Sequence, residues 1–278
     1  MISLLVFDAD DTLYHWLSYY VPSFYAMAEE VSRLTGIPLP QLLTEYKAVH
    51  TELKNVEYPY ATLRLPSVLA WYGKAPDLGL KQALSPAFLA FEQKRKETLR
   101  PFAGVKETLE KIADMGIPMV IYTDAAPENA RHRFADLGIA HFFSRFYTRK
   151  RPYHQQDAEY PNTVLFDEAK PSESNLRFIC QNEGVLPCHT LMVGDNMAKD
   201  VYMAHLSGVK SAWCAYGRRD SADLYQKLVD ITSWTEEDFR QDRAQKQKIL
   251  DEGITPHYTL TCFQDLLAVI EKEKEKEP

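Results

Sequence analysis

Three short apolar runs in this chain each stop at acidic or hydroxyl-bearing residues, and that pattern narrows the fold more than anything else in the sequence. Ile2-Ser3-Leu4-Leu5-Val6-Phe7 meets Asp8-Ala9-Asp10-Asp11-Thr12, Met119-Val120-Ile121-Tyr122 meets Thr123-Asp124, and Thr190-Leu191-Met192-Val193 meets Gly194-Asp195-Asn196. Short apolar runs without alternation mark strands buried on both faces, as in a parallel sheet. From residue 98 onward, helical periods separate them. Val105, Leu109 and Ile112 mark a helix ended by Gly116, a second covers 127–137 and stops at Gly138, and others are expected over 172–183 and 198–207. Further strands are expected at 143–147, 209–213 and 257–260, with a last helix after them. Such alternation predicts an α/β fold, a doubly wound parallel sheet of Rossmann-like build with helices on both faces.

A block of different texture follows the first strand. Leu17, Tyr20, Val21, Phe24, Met27, Ala28 and Val31 keep a helical period across Pro22, as do Leu42, Tyr46, Val49 and Leu53; shorter helices are expected at 67–72 and 77–99. Pro22 either begins the first helix or kinks it. The predicted division is a core of residues 1–14 and 98–278, with residues 15–97 inserted as a helical cap domain. Two stretches fit the alternation poorly. Residues 148–168 read as a long loop, and 218–252 as an added helical segment in which Ser233 and Glu236 have capping-box spacing. The Glu-Lys alternation at 271–277 reads as a frayed, solvated end.

At 278 residues, 45% hydrophobic and 26% charged, the chain has the makeup of a globular protein with room for a smaller second domain. A formal charge of -7 argues against a nucleic-acid polymer or an anionic membrane as partner. The basic cluster Arg145, Arg149, Lys150 and Arg151 reads as a solvated loop, with contact to an anionic small molecule as the alternative. No uncharged stretch approaches the roughly 20 residues of a membrane helix, and the first apolar run is too short for a signal peptide. Cys180, Cys188, Cys214 and Cys262 form no CxxC pair, which fits a reducing compartment. A cytoplasmic protein is expected, with its oligomeric state left open.

Ligands of open α/β sheets bind at the carboxyl ends of the strands. A parallel sheet would therefore gather Asp8, Asp10, Asp195 and Asp200 along one edge, with Thr123, and with Lys170 just before the helix at 172–183. Carboxylates so close repel and raise one another's pKa values; a divalent cation and Lys170 would relieve this. A hard, oxygen-rich site suits Mg²⁺, and the arrangement is one for phosphoryl transfer. Singly, each residue has a plainer use: Asp10, Thr12 or Thr123 as a helix cap, Lys170 as a surface lysine, Gly194-Asp195 as a turn. Their joint occurrence in this order carries the weight.

That order resembles the haloacid dehalogenase superfamily. Val6 through Leu13 is similar to its opening DxDxT motif, Ile121-Tyr122-Thr123-Asp124 to the second, Lys170-Pro171-Ser172 to the third, and Gly194-Asp195 through Asp200 to the fourth, GDxxxxD. Arg100 through Val105 resembles the re-entry into the core behind the cap. The resemblance covers residues 1–14, 98–217 and the closing strand and helix, and it implies a helical cap at 15–97. It implies a Mg²⁺-dependent phosphatase that hydrolyses a small phosphomonoester, such as a nucleotide or sugar phosphate, through an aspartyl-phosphate. Asp8 would be the nucleophile, Asp10 the acid and base, and Thr123 and Lys170 the groups that meet the phosphoryl oxygens. Asp8, the Asp10 carbonyl and Asp195 would hold the metal, with Asp200 either a further ligand through water or the residue that orients Lys170. Dehalogenases of the superfamily do not use the second aspartate, so Asp10 points to a phosphate ester. A catalytically idle partner-binding module and a phosphosugar mutase are the two other readings. The chain departs from the family's usual spacing between Thr123 and Lys170, with the excess falling in 148–168.

Overall fold

The computed structural model describes residues 1–58, 60–73, 79–151, 160–217 and 221–276. β1 (Leu4–Phe7) is followed by the helices α1 (Trp16–Thr35), α2 (Leu39–Leu53), α3 (Pro66–Tyr72), α4 (Leu80–Ala83) and α5 (Ser85–Thr98). Then come α6 (Val105–Asp114), β2 (Met119–Tyr122), α7 (Pro127–Asp136), β3 (Arg145–Arg149), β4 (Thr163–Phe166) and α8 (Glu173–Asn182). The chain continues through β5 (Thr190–Gly194), α9 (Met203–Ser207), β6 (Lys210–Cys214), α10 (Ala222–Ile231), α11 (Glu236–Asp251), β7 (Tyr258–Leu260) and α12 (Asp265–Glu275). No strand lies between residues 15 and 97 among the described residues, and no described helix is long and apolar enough to cross a membrane.

The strands form one seven-stranded sheet in the order β4-β3-β2-β1-β5-β6-β7, with every pairing parallel. The winding reverses at β1, which makes the carboxyl end of that strand a topological switch point. Phe7 lies opposite Ile121 of β2 and Val193 of β5. The polar residues that follow these three strands therefore emerge along one edge. All of β1, β2 and β5 is buried, which is why these strands read as unbroken apolar runs.

Two compact units make up the chain: Met1–His15, Arg100–Arg219 and Arg243–Pro278 form the sheet unit, while Trp16–Leu99 and Asp220–Asp242 form a helical unit. The expected core range of 98–278 thus gives up residues 220–242. In the helical unit Tyr25 donates its hydroxyl to the Lys227 carbonyl (3.1 Å), Lys47 Nζ donates to the Val229 carbonyl (2.8 Å), and His50 Nδ1 lies 2.6 Å from the Ile231 carbonyl. Leu228 and Ile231 are buried there; their apolar stripe finds its partners on α1 and α2, not on the neighbouring strands in sequence. α1 begins at Trp16, ahead of Pro22, so the proline does not start the helix.

Three local expectations need correction. The stretch at 148–168 contains the end of β3 and all of β4, whose Phe166 stacks on Tyr147 (5.7 Å) and meets Phe178 edge-on (5.8 Å); residues 152–159 lie outside the described residues. α11 begins at Glu236, so its N-cap is Thr235 and not Ser233: Thr235 Oγ1 accepts from Asp238 N (3.3 Å), and the Asp238 carboxylate accepts from Thr235 N (2.6 Å), while the Glu236 side chain lies outside the described residues. α12 does not fray at 271 either, because its buried Glu273 accepts from Lys210, from the Tyr258 hydroxyl and from Lys276 (2.7 Å).

Burial alone would raise the Glu273 carboxyl, but these donors pull it down to about 2. A folded-state value below the ordinary one stabilises the fold above the normal carboxyl range, and that stability fades as pH falls toward 2. Glu273→Gln should therefore lower the Tm by a few degrees at pH 7, with the gap to wild type narrowing in acid, as thermal melts at several pH values would show.

Candidate functional site

The edge at the ends of β1 and β5 brings four of the expected residues together. Lys170 Nζ donates to Asp8 Oδ1 at 2.5 Å and to Asp200 Oδ1 at 2.7 Å, and all three side chains are buried. Carboxylate oxygens of Asp8, Asp195 and Asp200 lie within 4.8 Å of one another. The backbone explains how the chain achieves this. Asp8 N continues the β1–β5 ladder by donating to the Val193 carbonyl (2.9 Å), so its side chain leaves the sheet at the switch point. The Asp8 Oδ2 atom accepts from Thr12 Oγ1 at 3.3 Å.

Asp200 reaches back to the end of β5 because a π-helical turn, Met197–Tyr202, stands where 198–207 read as an ordinary helix; only Met203–Ser207 is α-helical. Asp200 Oδ2 accepts from Asn196 N at 3.0 Å, and Asn196 Oδ1 caps the turn by accepting from Ala198 N and Lys199 N, each at 3.0 Å. Gly194 is required here: a Cβ on it would lie 2.2 Å from Asp200 Oδ2. Gly217 plays a similar part. A Cβ there would lie 1.9 Å from the Asp11 carbonyl oxygen and 3.0 Å from Asp195 Cβ. Gly217→Ala should displace the first-motif loop and lower turnover on the order of a hundredfold; wild-type kinetics in that variant would contradict the close approach.

Lys170 is held from several sides. Its backbone N donates to Asp124 Oδ1 at 2.9 Å, Lys199 Nζ donates to Asp124 Oδ2 at 3.0 Å, and the Tyr122 ring lies 5.4 Å from the ammonium. Burial alone would lower the ammonium's pKa, but the carboxylates of Asp200, Asp8 and Asp124 hold it well above its ordinary value. Asp124 is depressed despite its burial because Lys199 and Lys170 flank it. Asp8 goes the other way: burial pushes it up to about 7, Lys170 pulls against that, and Asp200 and Asp10 add to the rise.

The other two expected residues are placed differently. Thr123 follows β2, is buried, and accepts from Ala125 N through Oγ1 at 3.1 Å; it does not cap α7, whose N-cap is Ala126. The Asp10 carboxylate stands outside the cluster of Asp8, Asp195 and Asp200; the metal ligand expected at this position is its backbone carbonyl. Asp10 Oδ1 instead accepts from the Tyr14 hydroxyl (2.8 Å) and from Arg133 Nη1 (3.0 Å). Arg133, Tyr14 and Gly217 were not singled out in the sequence, and Asp124 was named only as the end of the second motif, with no role. Arg133 sits in a charged stretch of α7 where nothing separates it from Arg131. The basic cluster at 145–151 is not simply solvated, since Arg145 Nε donates to Glu183 (2.9 Å) and Arg151 Nη2 to the Asp124 carbonyl (2.9 Å).

Lys170 offsets one of the three clustered carboxylate charges, which leaves an excess of negative charge at the site. Hard oxygen donors with two uncompensated charges fit a divalent cation. A doubly wound parallel sheet with a buried lysine and an acidic cluster that could hold a cation at its switch point is the arrangement of an α/β enzyme. The chain belongs to the haloacid dehalogenase-like hydrolases, whose family model matches residues 2–208. It is 25% identical over 248 residues to a phosphoserine phosphatase of Thermus thermophilus, covering 78% of this chain and 90% of that one. It is 26% identical over 254 residues to a glyceraldehyde 3-phosphate phosphatase of Methanopyrus kandleri, covering 88% and 95%. The fold is also similar to that of a 2-haloacid dehalogenase from Pseudomonas syringae pv. tomato, with a TM-score of 0.57 at 18% identity over 98% of this chain and 100% of that one.

Proposed function

We propose that this protein is a Mg²⁺-dependent phosphatase of small phosphomonoesters that works through an aspartyl-phosphate on Asp8. The observation that carries this reading is Lys170 Nζ bound at once to Asp8 and Asp200 beside Asp195. Asp8, Asp195 and the Asp10 carbonyl would hold Mg²⁺, which supplies the positive charge that lets an anionic phosphate approach an anionic nucleophile.

Lys170 and Thr12 each fix one oxygen of Asp8, so the nucleophile is oriented before substrate arrives. Lys170 also offsets charge on the phosphoryl oxygens. Asp200 accepts from Lys170 on one oxygen and from Asn196 N on the other, which favours its reading as the residue that orients Lys170. The Thr123 hydroxyl accepts from Ala125 N and keeps its own proton for a phosphoryl oxygen. Asp8 bonds to phosphorus as the ester bond breaks; Asp10 protonates the departing alcohol and then takes a proton from the water that releases phosphate.

The helical unit is read as the cap domain. The two relatives named as phosphatases of phosphoserine and of glyceraldehyde 3-phosphate support the same reaction class. A reducing cytoplasm is the proposed compartment, supported by the free thiols of Cys180, Cys188, Cys214 and Cys262.

The test is phosphate release from an aryl phosphate and from a panel of sugar and nucleoside monophosphates. Release that needs Mg²⁺, stops with EDTA and returns with excess Mg²⁺ is the expected result. No release from any ester at any Mg²⁺ concentration would overturn the reading, and transfer between sugar hydroxyls without free phosphate would mark a mutase instead.

A further inference from the structure

Asp10 is anchored within its own unit. Besides the Tyr14 hydroxyl at 2.8 Å and Arg133 Nη1 at 3.0 Å on its Oδ1, Arg133 Nη1 lies 3.4 Å from the Tyr14 oxygen, so the three side chains close a ring of contacts. Arg133 is 3% exposed, and burying a guanidinium is costly unless it is paired and hydrogen-bonded. Its surroundings are stiff. The next residue, Phe134, meets the Tyr14 ring edge-on at 6.4 Å and is itself packed by Phe143 (5.3 Å) and Phe146 (5.1 Å). The Tyr14 backbone is bridged both to Asp10 and to Pro101, which fixes the ring at its base as well as at its hydroxyl.

We propose that Arg133 is a positioning residue for Asp10, which it holds together with Tyr14. The inference rests on the reading of Asp10 as acid and base. In the first half-reaction an Asp8 oxygen bonds to phosphorus, the phosphorus–oxygen bond to the alcohol breaks, and the Asp10 proton passes to the alcohol oxygen. In the second, water bonds to phosphorus, its proton passes to the Asp10 carboxylate, and the Asp8–phosphorus bond breaks to release orthophosphate. Arg133 and Tyr14 keep the carboxyl group in one place through both steps.

Leaving-group dependence tests this directly. A para-nitrophenolate departs without needing a proton, whereas an alkyl alcohol such as that of glycerol phosphate needs one. Arg133→Gln is expected to lower kcat on the alkyl ester on the order of a hundredfold and on the nitrophenyl ester far less, with KM for both changing little. Tyr14→Phe keeps the ring and its packing and should repeat the selectivity in milder form; it carries the test if Arg133→Gln does not fold. Arg133→Lys should recover most of the alkyl rate. Equal losses on both esters in Arg133→Gln and Tyr14→Phe, or no recovery in Arg133→Lys, would overturn the positioning role. Asp10→Asn separates the two readings. If it keeps the alkyl rate, Asp10 is not the acid and the functional reading fails. If it loses that rate while Arg133→Gln is unselective, the present inference alone fails.

Discussion

Lys170→Met should lower the Tm by about 10 °C or more and remove activity altogether. The ammonium is bound to Asp8 and Asp200 in a pocket where those side chains are only 10% and 2% exposed. Removing one partner of a buried ion pair costs about 3–5 kcal/mol, because the charge left behind has neither water nor a counter-ion. For a protein of this size each kcal/mol moves the Tm by roughly 2–4 °C. Methionine preserves most of the volume, so the loss is electrostatic. Two further results should follow from the same cause. Adding Asp200→Asn should restore part of the Tm but none of the activity, and excess Mg²⁺ should narrow the gap to wild type because the cation supplies the missing charge. An unchanged Tm in Lys170→Met would mean that the buried contacts do not exist in solution.

Asp8→Asn is expected to do the opposite to stability while being equally fatal to catalysis. Turnover should fall by about four orders of magnitude or more, as losses of covalent nucleophiles do. Burial pushes the Asp8 carboxyl up to about 7 in spite of Lys170, with Asp200 and Asp10 adding to the rise. A carboxyl whose folded-state value exceeds its unfolded one binds its proton more tightly in the folded protein. The fold is therefore favoured at low pH and loses that contribution as pH rises from about 4 through about 7. Asparagine carries no charge to desolvate. In EDTA the variant should melt several degrees above wild type at pH 8, and the two should converge near pH 4. Mg²⁺ should reverse the order at pH 8, since a ligand that binds only the folded wild type raises its Tm. A variant that melts below wild type in EDTA at every pH would show that Asp8 is not held against its electrostatic preference.

How far the sequence could be read depended on what each segment packs against. Strands β1, β2 and β5 are buried throughout and almost wholly apolar, so the polar residue after each run marks the carboxyl edge; Asp8, Thr123 and Asp195 were legible for that reason. Edge strand β4 has half-buried faces and follows a Pro- and Tyr-bearing stretch, so neither an alternation nor a long apolar run announces it. The helical unit was legible from Leu17 to Val31 and from Leu42 to Leu53. The membership of α10 in that unit was not, because Leu228 and Ile231 show which face is apolar but not which surface it meets. The capping box of α11 was displaced by two residues because Thr235 and Asp238 have the same spacing as Ser233 and Glu236, and only backbone geometry chooses between them. Motif residues of the site could be listed from order along the chain, whereas the groups that hold them could not. Asp124 was visible as the end of the second motif but not as the residue that fixes Lys170 N, and Arg133 and Tyr14, which fix Asp10, are ordinary polar residues until the sheet brings distant segments together.

The claim that everything else depends on is that Asp8 takes the phosphoryl group. Borohydride reduces an acyl phosphate to an alcohol, so an aspartyl-phosphate trapped in this way becomes homoserine. The measurement is peptide mass mapping after borohydride quench of Asp10→Asn turning over para-nitrophenyl phosphate with Mg²⁺, a variant in which hydrolysis of the intermediate should be slowed. Homoserine at position 8 is the predicted result. Homoserine at another carboxylate, or none while nitrophenolate is being released, would contradict it.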